Sequence, residues 1–131
     1  MAEHAGQIAC PGGRFDPLYD KTLCDTACRE TQEEVGVQLN ASYHVDTLSP
    51  VHIPPTGYTI LPHVFCLSTL PPLILSREAE QAHWVSLEDL RRALDTSDGY
   101  PQYPLPWGRV WGATARIIDE LLNTPWGKGM I

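Results

Sequence analysis

The chain has 131 residues, of which 43% are hydrophobic, and a formal net charge of −7. This length supports one ordinary hydrophobic core, so we predict a single domain over residues 1–131. The acidic balance excludes a general nucleic-acid binder, because such proteins bind phosphates with clustered Lys and Arg. No apolar run is long enough to span a membrane and no signal-peptide pattern is present, so we expect a soluble intracellular protein, most simply a cytoplasmic one.

The first elements are predicted from turn and capping residues. Residues 6–10 form a short apolar run that ends in Pro-Gly-Gly, which predicts a strand followed by a tight turn. Thr22 and Asp25 have the spacing of a capping box, and no Pro or Gly follows before Gly36. We therefore predict a helix over residues 22–35 that ends at Gly36.

The middle of the chain is rich in β-forming residues. Residues 42–51 and 57–68 are bounded by turn-forming residues and predict two neighbouring strands. Residues 82–85 predict a third, shorter strand. The four cysteines are scattered without a CxxC pair, so we expect reduced thiols rather than disulfides.

The last third predicts two helices joined by a loop. Ser86 and Asp89 form a second capping pattern, which predicts a short helix over residues 87–94. Residues 95–106 are rich in Pro, Gly and Asp and predict a loop, whereas residues 110–122 have the apolar spacing of an amphipathic helix. Helices that alternate with strands indicate an α/β layered fold.

Three carboxylates share one face of the first predicted helix. At about 100° per residue, Glu33 and Glu34 fall within about 60° of Glu30. A separate face carries small and apolar residues that we expect to be buried: Cys24, Cys28, Thr31 and Val35. In the simplest structural interpretation, Arg29 pairs with Glu33 and the other glutamates are solvated. That interpretation leaves Glu30 and Glu34 as like charges one turn apart near a helix C-terminus, an arrangement that favours a bound cation. Mg²⁺ prefers such oxygen ligands.

The segment GGRFDPLYDKTLCDTACRETQEEVGV (residues 12–37) resembles the signature of the Nudix hydrolases. The flanking HAGQIACPGG (4–13) is similar, more narrowly, to the coenzyme A pyrophosphatase branch of that family, and later segments resemble the same branch: TGYTILPHV (56–64), REAEQAHWVSLEDL (77–90) and RVWGATARIIDELL (109–122). The resemblance implies a Nudix-type α/β/α sandwich with a mixed sheet.

The resemblance also implies roles for particular residues. It implies Mg²⁺ or Mn²⁺ at Glu30, Glu33 and Glu34, catalysis by Glu33 and Glu34 with Arg29 orienting a carboxylate, and substrate binding by Gly12, Gly13 and Arg14. Candidates for an additional acid are Asp20, Glu78 and Glu80. Asp20 stands nine positions before Arg29, one more than in the general family, so Asp16 is an alternative to it.

The implied reaction is hydrolysis of a diphosphate linkage, with coenzyme A or acyl-CoA as the favoured substrate and 3′,5′-ADP and 4′-phosphopantetheine, or its acyl form, as products. Two alternatives stay open: another nucleoside diphosphate derivative such as ADP-ribose, and a catalytically silent paralogue that binds a ligand or oligomerises. Met1 stands only three residues before His4, so we expect the N-terminal strands of the family to be missing. Open sheet edges would then favour a homodimer.

The tryptophans near the C-terminus are the last candidates. Trp107, Trp111 and Trp126 are candidates to line a nucleotide pocket. Packing of the last helix explains Trp111 at least as well.

Overall fold

The computed structural model describes residues 10–54, 56–77 and 80–129. The strand predicted at residues 6–10 therefore lies almost entirely outside the described residues. Within the described ranges, no helix is long and apolar enough to cross a membrane.

The chain divides into two compact units, each named here after its longest helix. The α1 unit consists of residues 11–47 and 63–83, and the α3 unit includes residues 48–62 and 84–129. The single domain predicted from length stays a prediction.

The α1 unit contains one long helix and one strand pair. Helix α1 spans Leu23–Val35, and a short 3₁₀ turn at Ala41–Tyr43 leads into strand β1, His44–Thr47. Strand β1 pairs antiparallel with β4, His63–Phe65, through a register shift between His44 and Asp46.

The α3 unit contains two hairpins and two helices. Strands β2 (Val51–Ile53) and β3 (Tyr58–Ile60) pair antiparallel, as do β5 (Tyr103–Leu105) and β6 (Gly108–Val110). Helix α2 spans Leu87–Ala93 and α3 spans Gly112–Leu122. The buried core of this unit comprises Leu90, Tyr103, Val110, Ala115 and Leu122.

The α/β class is confirmed, together with the three predicted helices. The segments 42–51 and 57–68 are neighbours as predicted, divided between the β1–β4 and β2–β3 pairs. The described strands form three two-stranded antiparallel sheets rather than one mixed sheet. Each pairing joins strands linked by a turn or by a nested hairpin, and such short connections suit antiparallel geometry.

Two local predictions were wrong. Residues 82–85 form no strand in the described chain, because no neighbouring segment pairs with them. The segment predicted as a loop, residues 95–106, contains strand β5. Composition did not indicate this strand, because Pro104 lies within it. Proline is tolerated there because both strands of a two-stranded sheet are edges. Val110 belongs to β6 rather than to the last helix, and it is buried.

Candidate active site

Capping residues and backbone hydrogen bonds fix both ends of helix α1. The Thr22 hydroxyl accepts a hydrogen bond from the Asp25 amide, and the Asp25 carboxylate accepts from the Thr22 amide, which confirms the predicted capping box. At the other end Gly36 adopts a left-handed conformation with φ 71°. The amides of Ile74 and Ser76 donate to carbonyls of the last turn, and a Cβ on Gly36 would lie 2.7 Å from that of Ile74.

Arg29 is the centre of the candidate site. Its Nε donates to Asp20 Oδ1 at 3.0 Å and its Nη2 donates to Asp20 Oδ2 at 2.9 Å, so the guanidinium and carboxylate form a bidentate pair. Nη2 also donates to the Arg14 carbonyl at 2.9 Å. The helix is thereby tied to the loop that precedes it.

Asp20 is a buried anchor. Only 1% of its side chain is exposed, and its Oδ2 also accepts from the Thr26 hydroxyl at 3.0 Å and the Asp16 amide at 2.9 Å. Hydrogen bonds from Arg29 hold the pKa of the Asp20 carboxyl well below its ordinary value, and they outweigh the opposing effect of burial. The same pair raises the pKa of Arg29.

These contacts tie Asp20 to Arg29, and its role as an additional acid stays a prediction. Both of its oxygens already accept hydrogen bonds, and two of the donors belong to Arg29. The carboxylate of Asp16, the alternative to Asp20, closes a local turn by accepting from the Leu18 amide at 2.9 Å, and its role as an acid also stays a prediction.

The far side of Arg29 faces two of the predicted metal ligands. Nη1 donates to Glu30 Oε1 at 3.0 Å and to Glu33 Oε2 at 3.4 Å. The Glu30 side chain is 19% exposed and that of Glu33 is 59% exposed. The Arg29 guanidinium therefore orients both the partly buried carboxylate of Glu30 and the exposed carboxylate of Glu33. Its positive charge offsets part of the repulsion between them.

The loop formed by residues 12–14, here called the glycine loop, lies against Glu34 and Glu30 of the helix. The Gly12 amide donates to Glu34 Oε2 at 2.9 Å. Gly13 lies so close to Glu30 that an added Cβ would stand 2.3 Å from its Cδ. The loop and helix thus bring together Gly12, Gly13, the Arg14 backbone, Arg29 and the three glutamates, whose catalytic, metal-binding and substrate-binding roles stay predictions.

The oxygen chemistry of this face fits Mg²⁺ or Mn²⁺, although no described group of three His, Cys, Asp or Glu side chains is gathered to hold a metal. Glu30 and Glu33 meet at one guanidinium, and Mg²⁺ commonly binds through one or two carboxylates plus waters and substrate phosphates. The residues therefore fit a cation held jointly with substrate, rather than a ready-made cage of three ligands.

Other predicted residues lie outside this arrangement. Glu78 is not among the described residues, and Glu80 is exposed, with no hydrogen bond to the described site residues. The predicted apolar face of α1 is only partly buried. The one buried residue of this helix is Thr26, which lies on the side that carries the carboxylates. The sequence reasoning missed Thr26, although its place one turn before Arg29 put it on the same face.

A carboxylate-rich helix oriented by an arginine and joined to a glycine loop defines a site suited to metal-assisted phosphate chemistry. The model of the NUDIX domain matches residues 2–106. The chain therefore belongs to the Nudix family. Members of this family generally need divalent metal ions.

Curated relatives are similar along most of the chain. The human mitochondrial coenzyme A diphosphatase NUDT8 is 32% identical over 92% of this chain and 56% of its own length, and its mouse counterpart is 32% identical over 92% and 63%. A Salmonella paratyphi B protein called uncharacterized Nudix hydrolase NudL is 33% identical over 92% of this chain and 68% of its own. The chain thus spans just over half of the human relative. No solved structure matches it significantly.

Proposed function

We propose that the chain catalyses divalent-metal-dependent hydrolysis of diphosphate linkages, with coenzyme A or acyl-CoA as substrate and 3′,5′-ADP and 4′-phosphopantetheine, or its acyl form, as products. The observation that carries the proposal is the Arg29 guanidinium, which contacts Glu30 and Glu33 while the Gly12 amide holds Glu34. Two of the similar proteins are named as coenzyme A diphosphatases, which supports this substrate class.

The carboxylates have different roles in this proposal. When bound, Mg²⁺ or Mn²⁺ neutralises phosphate oxygens and lowers the pKa of an attacking water. Glu30, Glu33 and Glu34 would hold the cation. Glu33 and Glu34 are the candidates to accept the proton of the water. The side chain of Glu33 is more exposed than that of Glu30.

The remaining residues position these groups and the substrate. Asp20 locks Arg29, so that its Nη1 stays aimed at the glutamates. Gly12, Gly13 and Arg14 form the loop facing them and are the proposed substrate-binding residues. At Gly12, where an added Cβ would meet nothing within 4 Å, the bare backbone leaves room for a phosphate to approach.

The test is product analysis with coenzyme A and ADP-ribose in the presence of Mg²⁺, Mn²⁺ or EDTA. Wild-type protein should cleave coenzyme A at its diphosphate only with metal, and Glu34→Gln should lower kcat by about 10²–10⁴-fold. The matched control is Glu88→Gln, an exposed glutamate on α2 whose charge is removed in the same way. Faster cleavage of ADP-ribose than of coenzyme A would refute coenzyme A as the substrate. Equal kcat values for Glu34→Gln and Glu88→Gln would refute the proposed site.

A second candidate, a catalytically silent paralogue that acts by binding or oligomerisation, is favoured by the lack of a gathered three-ligand group in the described chain. It predicts no turnover even where Mn²⁺ binds, together with self-association; calorimetry measures the binding and light scattering the association. The homodimer and the intracellular location stay predictions. The human and mouse relatives are named as mitochondrial.

A further inference from the structure

Two histidine rings meet on one face of the β1–β4 strand pair. His44 Nε2 lies 3.1 Å from His63 Nδ1, and the two ring centroids are 5.1 Å apart. The Thr47 hydroxyl completes a triangle, because it lies 3.1 Å from His44 Nε2 and 3.5 Å from His63 Nδ1. All three residues belong to the α1 unit. Two nitrogens and one oxygen therefore converge on one small space.

An irregularity in strand β1 produces this convergence. Side chains alternate between the two faces of a strand, so His44 and Thr47, three residues apart, would ordinarily point to opposite faces. The register shifts between His44 and Asp46, and such a bulge re-aims side chains, which brings Thr47 opposite His63 on the face that His44 shares. The ring of Phe65 meets that of His44 edge-on at 5.4 Å. Strand pairing and packing thus hold the donor atoms together.

The spacing of the two nitrogens fits a shared metal ion. Zn²⁺ binds imidazole nitrogen at about 2.0–2.1 Å, so two such ligands stand about 3.3 Å apart at a tetrahedral angle and about 2.9 Å apart at a right angle. The observed 3.1 Å lies between these values. Metal binding requires neutral imidazole. Burial, and after it the nearby His44, lowers the pKa of His63, so the neutral form of His63 prevails at neutral pH.

The protein supplies only part of a coordination sphere here. No group of three His, Cys, Asp or Glu side chains that could hold a metal is gathered in the described chain, so the donors are two imidazoles and the Thr47 hydroxyl, which can bind the ion or a water on it. Thr47 is exposed, which opens the space to ions from solvent. The outer nitrogen of His63, Nε2, is buried without a partner among the described residues, whereas ligating histidines usually have one. We therefore expect moderate affinity, in the micromolar range.

We infer that this histidine pair, here called the His44–His63 site, binds a divalent transition-metal ion of the Zn²⁺ class, with waters completing its coordination. Imidazole suits Zn²⁺, Ni²⁺ and Cu²⁺, whereas Mg²⁺ takes oxygen ligands. The site is therefore distinct in residues and in ion from the proposed carboxylate site, and it does not depend on the proposed hydrolysis. The competing interpretation is a hydrogen-bonded histidine pair that only stabilises the strand pair.

The experiment is calorimetric titration of the whole chain with Zn²⁺ at neutral pH, in excess Mg²⁺ to occupy carboxylate sites. His44→Gln and His63→Gln should each weaken Zn²⁺ binding by at least about tenfold, because loss of a mere outer-shell partner of a ligand already costs about 10–100-fold. Zn²⁺ should also raise the urea midpoint of the wild type and not that of either variant. In the wild type, NMR should show Zn²⁺ shifting the ring signals of His44 and His63 alone among the five histidines, a result that does not depend on how the variants fold.

Matched controls remove metal-binding side chains elsewhere. His52→Gln, on β2, should leave Zn²⁺ affinity unchanged. Glu34→Gln and the double variant Cys24→Ser/Cys28→Ser should also leave it unchanged, which separates the histidine pair from the proposed carboxylate site and from the thiols of α1. The inference is overturned if His52→Gln weakens Zn²⁺ as much as His44→Gln, if the Glu34 or cysteine variants abolish binding, or if Zn²⁺ gives no heat with the wild type up to millimolar concentration.

Discussion

Gly13→Ala tests the close approach of the glycine loop to the carboxylate face. A Cβ there would stand 2.3 Å from Glu30 Cδ, whereas nonbonded carbons normally approach to about 3.5 Å, so the Glu30 carboxylate must move by about 1.2 Å. That shift breaks its hydrogen bond with Arg29. Because a misplacement of about 1 Å in an active site can cost about 10²-fold in rate, we expect kcat to fall by about that factor.

Stability should change much less than rate. Glu30 can adopt another rotamer at a cost of about 1 kcal/mol, so the variant should stay folded. The comparison variant is Gly12→Ala, because a Cβ on Gly12 would meet nothing within 4 Å and its amide can still donate to Glu34. Since Gly12 is itself a proposed substrate-binding residue, this variant should raise KM and leave kcat at saturating coenzyme A unchanged. Metal-dependent coenzyme A hydrolysis and thermal unfolding are measured on both variants. Equal kcat values for the two would refute the argument from close approach.

Three further predictions concern stability. Thr22→Ala should lower the free energy of unfolding by about 1 kcal/mol, because it removes the N-cap of α1; urea denaturation measures this, with the exposed Thr69→Ala as a surface control. Burial and the nearby His44 lower the pKa of His63 below 6.5, so the unfolded chain binds more protons and stability should fall as pH drops below about 6.5; denaturation from pH 8 to 5 should show a weaker decline for His63→Gln. Tyr103→Phe should be neutral or stabilising by up to about 2 kcal/mol, because the buried hydroxyl has no partner among the described residues, whereas Tyr103→Leu should destabilise. A clear loss of stability in Tyr103→Phe would contradict that reading of the hydroxyl.

The local features of the site were predictable from the sequence. Thr22, Asp25 and Gly36 define the limits of α1 through contacts within a few residues, and helical geometry then places the three glutamates on one face. The Arg29–Glu33 pair, taken from the sequence as a simple structural interpretation, is present as well. The structure shows it as part of a larger arrangement, in which the same guanidinium binds Asp20.

The errors arose where pairing partners decide the conformation. A strand needs a neighbour to complete its hydrogen bonds, so residues 82–85 could not be judged from composition alone. The hairpin at Tyr103–Val110 was hidden by Pro104, and it forms because Tyr103 and Val110 are buried in the core of the α3 unit. Because Val110 pairs within this hairpin, the last helix begins at Gly112 rather than at the predicted residue 110.

The sequence by itself determined the family and the spacing of Arg29 and the glutamates, because a helix converts short-range spacing directly into a shared face. Only the tertiary structure decided that Asp20 is buried and paired with Arg29. Its carboxylate meets Arg29, Thr26 and the Asp16 amide through the fold of the preceding loop. The exposure of Tyr100 and Trp111 was likewise a tertiary outcome, because burial depends on which neighbours the folded chain supplies.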